Sequence, residues 1–167
     1  MFKESFLKAT FLGLMLTVTS VGFAQDLRIG GWKVEYVTND FGDRTGECSL
    51  SQTVFSEDLE EFYFIYIAKL IDEIVIMIDA NFKNEIADRD AYLSFKTENN
   101  KVIEAEKGDY RNKSKSASFE MTNEIISLFK NSSKLKIAVR LQGCKPSVFE
   151  IDCKGFTKAY NEMLNCK

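Results

Sequence analysis

Four cysteines, Cys48, Cys144, Cys153 and Cys166, are the most reactive groups in this chain. An even count in an exported protein points to two disulfides. Zinc is the alternative, and the chain serves it poorly, with no Cys-x-x-Cys pair and no histidine. The absence of histidine also removes the usual general base and every Ser-His-Asp or Cys-His arrangement. Cysteines held in bridges are unavailable as nucleophiles. Gly30-Gly31 precedes a strand pattern rather than a helix, so it is no phosphate loop.

Carboxylates are the remaining acid–base option. Asp88 and Asp90 lie two apart, with Asp79 and Glu85 nearby. A glycosidase needs two such groups flanking the scissile bond. In the polar stretch Asn81–Asp90 they read instead as solvated loop residues. Asn39, Asp40, Asp43 and Glu47 form an oxygen-rich group of the kind calcium favours, but their spacing matches no EF-hand loop. Arg111, Lys113 and Lys115 can grip an anion, yet Glu106–Ser118 gives them no common face and reads as a solvated loop. No catalytic residue, cofactor site or metal site is assigned. Aromatic residues are the other candidates. Phe41 and Phe55 lie in or beside loops, and one face of Phe62-Tyr63-Phe64-Ile65-Tyr66 can serve as a binding surface. Burial between two layers accounts for most of the 14 Phe and 6 Tyr.

The elements that must position these residues are mostly strands. Trp32–Val37 alternates apolar and polar side chains, the period of a half-buried strand. A polar turn follows, and alternation resumes at Cys48-Ser49-Leu50-Ser51-Gln52. Phe62–Ala68 and Ile74–Ile78 are apolar on both faces. Lys69, Asp72 and Glu73 between them argue for two adjacent strands rather than a membrane span. Tyr92–Lys96 and Lys101–Ala105 form a hairpin pattern around Glu98-Asn99-Asn100.

Thr122 is placed to cap a short helix, with Glu124 in the first turn, Lys130 in the last, and Ile125, Ile126 and Phe129 on its buried side. Leu135, Ile137, Val139 and Leu141 then alternate with polar or small residues in the clearest strand of the chain. Phe149, Ile151 and Cys153 point inward along another. Phe156, Ala159, Tyr160, Met163 and Leu164 complete an amphipathic C-terminal helix.

This layout constrains the bridges. Cys153 and Cys166 bracket a helix of about ten residues, roughly 15 Å long, too far for a bond that needs Cα atoms within about 7 Å. Cys144 and Cys153 flank one strand. The expected pairing is therefore Cys48–Cys153 with Cys144–Cys166, the latter formed if the C-terminal helix runs back along the strand before it.

Residues 1–24 give the address. Lys3 and Lys8 lie in a charged head, an uncharged run follows from Ala9, and Val21-Gly22-Phe23-Ala24 offers a cleavage site. This is the layout of a bacterial signal peptide, and it leaves residues 25–167 as one disulfide-stapled domain with no integral membrane span. The formal net charge is −3, and removing the leader makes the remainder more acidic by one charge. That balance argues against nucleic acid or an anionic membrane as partner.

The order of landmarks resembles the invasion-associated locus B family of exported bacterial proteins. Gly31-Trp32-Lys33-Val34 opens the domain, Cys48-Ser49-Leu50-Ser51-Gln52 follows a polar turn, and Cys153-Lys154-Gly155-Phe156-Thr157-Lys158-Ala159-Tyr160 closes it. Tyr36 stands where that family often has its first cysteine, and no cysteine pair falls in Glu106–Ser118. The resemblance implies an envelope or periplasmic protein, linked in some members to host-cell colonisation, and supplies no catalytic residues.

The expected fold is mainly β: an antiparallel β-sandwich with two short helices. The expected function is that of a non-enzymatic protein, periplasmic or secreted from a Gram-negative bacterium, acting through contacts with a protein partner. The alternative is a periplasmic inhibitor of a lysozyme-like enzyme or protease, inserting loop Asn39–Glu47 or Lys107–Lys115 into a cleft. An enzyme using carboxylates is a third class, marked by two acids in a deep pocket.

Overall fold

A computed structural model describes residues 26–41, 43–56, 61–70, 73–80, 88–111 and 115–166. The leader, residues 1–24, lies outside them, as do Glu85, Asp72 and Lys113.

Ten strands are described: β1 (Leu27–Ile29), β2 (Trp32–Thr38), β3 (Arg44–Ser56), β4 (Glu61–Lys69), β5 (Ile74–Ala80), β6 (Arg89–Thr97), β7 (Val102–Arg111), β8 (Ser116–Glu120), β9 (Lys134–Leu141) and β10 (Ser147–Asp152). Two helices join them, α1 (Asn123–Asn131) and α2 (Phe156–Leu164). The strands form one antiparallel sheet in the order β1-β2-β3-β4-β5-β8-β7-β6-β9-β10.

The sheet curls on itself, which makes it roughly sandwich-like. Tyr63 on β4 and Phe149 on β10 stand six places apart in strand order, yet their rings stack with centroids 4.3 Å apart. Gln52 Nε2 on β3 donates to the carbonyl of Asp152 at the end of β10, at 3.0 Å. A flat sheet would hold those residues several strand spacings of about 4.8 Å apart. Twist accumulated over ten strands, closed by the inner aromatic residues, brings the halves together.

Both helices lie on the concave side. Thr122 caps α1, its hydroxyl accepting from the Ile125 N–H, and Ile125, Ile126 and Phe129 are buried. Phe129 meets Trp32 of β2, Phe95 of β6 and Phe156 of α2, so one ring joins two distant strands to both helices. Burying a ring of this size is worth about 2–3 kcal/mol. In α2, Phe156, Ala159, Tyr160 and Met163 are buried, while Leu164 at the end of the stripe is partly exposed.

Two expectations need correction. Within the stretch 106–118, residues 106–111 and 116–118 are strand rather than loop, because β7 and β8 pair in the register Asp109↔Ser118, Tyr110↔Ala117 and Arg111↔Ser116. Ladder hydrogen bonds to β6 and β8 hold β7 in place with Tyr110 as its fully buried side chain, so little alternation shows in the sequence.

The second correction concerns the bridges. Cys48 pairs with Cys166, at a Cα–Cα distance of 6.0 Å, and Cys144 and Cys153 are free. Instead of running back along β10, α2 lies across β1, β2 and β3, carrying Cys166 to Cys48 and away from Cys144. The two free cysteines flank β10 and are separated by its length.

Candidate functional site

The carboxylates expected near one another are held by ordinary cations. Asp88 meets Arg111 at 3.4 Å and Asp90 meets Lys107 at 3.0 Å. Asp79 is half-buried on β5, where burial raises its carboxyl above the usual range and Lys115 opposes the shift. None of the three lines the groove described below. In the turn between β2 and β3, Asn39 Oδ1 accepts the N–H groups of Phe41 at 3.0 Å and Asp43 at 2.9 Å. Its oxygen closes the turn. Among the described residues, no three Asp, Glu or Cys side chains are grouped closely enough to hold a metal ion.

The basic residues are split up. Arg111 reaches Asp88 and, at 3.9 Å, Asp109, while Lys115 sits at the turn into β8 with φ 53°. Cys153 is buried, and burial first, then Asp152 and Glu98, pushes its thiol up to about 12. Cys144 is half-exposed beside Arg89, whose Nη1 lies 3.8 Å from Sγ and donates to the Gln142 carbonyl at 2.9 Å.

The aromatic run of β4 is sorted cleanly between two faces. Tyr63, Ile65 and Ile67 are fully buried on the concave side. Phe62 and Phe64 face outward, 56% and 40% exposed, with Tyr66 half-buried in the same row. Phe55 of β3 pairs in register with Phe62, and their rings lie 4.9 Å apart. On the other side Met77 of β5 stands opposite Tyr66. Among the flanking outward positions Ser51, Thr53 and Ser118 are small and uncharged, while Asp79 stands opposite Phe64 and Lys33 opposite Ser51.

The opposite end of the same sheet has a different outer surface. There Lys96 stands opposite Lys136, and Arg140 lies over the Tyr92 ring. One half of the convex face therefore carries cations, and the other carries exposed rings with Asp79 beside Phe64. A half-exposed phenylalanine forgoes roughly 1 kcal/mol of available burial, and contiguous patches of this kind mark interaction sites. From the sequence, β4 showed aromatic residues on both faces; only their alternation with isoleucine hinted which row is outer. The contributions of Phe55 and Met77 required the register.

No protein-family profile and no curated protein sequence matches this chain. Among solved structures, the fold is similar to that of invasion-associated protein B from Bartonella henselae, with TM-score 0.59 and 13% sequence identity, covering 84% of this chain and 96% of that one. Among the described residues, no helix is long and apolar enough to cross a membrane.

Proposed function

We propose that this chain is an exported, non-enzymatic protein of a Gram-negative envelope that docks a protein partner through the aromatic outer face of β3–β5. The exposed row Phe62-Phe64-Tyr66, extended by Phe55, carries the reading, because these rings have their core-facing counterparts on the same strand and are not needed to fill the interior. The signal-peptide pattern of residues 1–24 and the Cys48–Cys166 bridge support an oxidising destination, periplasmic or secreted. The likeness in fold to a protein named for invasion extends the reading to host-cell colonisation.

The test is retention from envelope extract by immobilised oxidised protein and by a Phe62→Ser/Phe64→Ser variant of matched thermal stability. A component held by the natural chain and released by the variant supports the reading. Identical retention by both removes the face from consideration. Recovery from cells of a chain still bearing residues 1–24 would contradict export.

One observation favours the inhibitor as a second reading. Phe41 is 90% exposed at the β2–β3 turn that Asn39 and Asp43 fix by hydrogen bonds. An exposed ring held between hydrogen-bonded neighbours is suited to entering a cleft. Lys107–Lys115 is less suited, since Lys107–Arg111 are strand residues. Inhibition of a lysozyme-like enzyme or protease that vanishes in Phe41→Ser would favour this reading over docking through the β3–β5 face.

A further inference from the structure

The outer row does not stop at Tyr66 and Met77. The next outward positions are Ala68 on β4 and Val75 on β5, paired with each other, and Val75 is paired in turn with Glu120 on β8. Here the face opens into a groove of about 840 Å³, whose apolar lining includes Val37, Ala68 and Leu70. Glu47, Glu73 and Glu120 line it, against Lys69 as the one cation of the lining. All three carboxylates are exposed, and none is in an ion pair among the described residues. An aromatic strip, with Asp79 opposite Phe64, thus leads into a groove that combines apolar side chains with three carboxylates.

We infer that the partner presents a cationic, apolar polypeptide segment, with apolar side chains on the aromatic strip and apolar groove lining and Lys or Arg at the glutamate rim. The inference rests on the docking reading above and names its partner's chemistry. Charge complementarity selects this occupant. An anionic lipid surface would meet three carboxylates, and a second copy would bring the net negative charge of this same chain. The three acids are also not grouped as a metal site. The charge contribution is exposed, so it is screened over about 8 Å at physiological salt.

Fluorescence anisotropy tests this with a labelled peptide of repeating Lys-Leu-Ser units and a matched Glu-Leu-Ser peptide, titrated with the full oxidised chain. The basic peptide is expected to bind and the acidic one not. E47Q/E73Q/E120Q is expected to weaken binding about tenfold, as three exposed charge pairs together would. E98Q/E104Q/D109N, which removes equal charge elsewhere, is expected to change it less than twofold. Equal binding of the two peptides, equal loss in both triple variants, no binding, or preferential retention on phosphatidylglycerol vesicles would each overturn the inference. If F62S/F64S abolishes retention of the envelope partner while E47Q/E73Q/E120Q leaves it intact, the aromatic docking face stands and the cationic partner falls.

Discussion

Cys48 and Cys166 are 118 residues apart in the chain and 6.0 Å apart at Cα, and their bond fixes the end of α2 against the middle of β3. A bridge closing so long a loop restricts the unfolded chain strongly and is worth about 2–5 kcal/mol. Reduction, or Cys166→Ser, is expected to lower the thermal midpoint by about 10 °C, at a few degrees per kcal/mol for a chain of this size. Circular dichroism melts with and without reductant measure it. An unchanged midpoint would mean that α2 is held by packing alone.

The two remaining thiols should differ sharply in reactivity. Cys144 is half-exposed, whereas Cys153 is buried with its thiol pushed up to about 12. A thiol-specific chromogenic reagent at pH 8 is expected to label one thiol per folded oxidised chain and two after denaturation, because the thiolate is the nucleophile. Two fast equivalents in the folded protein would show that the turn before α2 opens readily.

Gly155 and Gly46 separate backbone strain from steric conflict. Both have left-handed φ, 84° and 82°. Alanine at either is expected to cost about 1–2 kcal/mol for the left-handed backbone. At Gly46 a Cβ meets nothing within 4 Å, whereas at Gly155 it would stand 2.7 Å from the Ile29 carbonyl oxygen. Gly155→Ala is therefore the more damaging, as it pushes β1 from the start of α2. Equal denaturation midpoints for the two variants would refute that contact.

Asp79 gives the protein a pH dependence of known sign. Burial raises its carboxyl in the folded chain, so the folded state binds the proton more tightly than the unfolded state. Its contribution to stability is greatest below the unfolded value near 4 and is lost as pH rises through the folded value. Asp79→Asn is accordingly expected to melt higher than the natural chain at pH 7 and level with it at pH 3. A variant that melts lower at pH 7 would show that the carboxylate is stabilised by a partner.

Where side-chain pattern alone determines the structure, the sequence was readable. The alternation of Leu135, Ile137, Val139 and Leu141, the Thr122 cap with the apolar side of α1, and the C-terminal stripe from Phe156 to Met163 all appear as expected. The first half of β7 was legible as the hairpin partner of β6, but its second half was not, because ladder bonds from two neighbours position it and a backbone hydrogen bond leaves little mark on residue type.

Local chemistry written in the chain determined the signal-peptide pattern, the mainly antiparallel strands and the two helices. Tertiary structure alone decided three things: that Cys166 reaches Cys48, that Tyr63 turns inward while Phe62 and Phe64 face out, and that the glutamates of two strands and a connecting turn rim one groove. Each depends on where the curled sheet and the crossing of α2 place residues distant in sequence. Local periodicity specifies which residues share a face of an element; which other element that face meets follows only when the whole core closes.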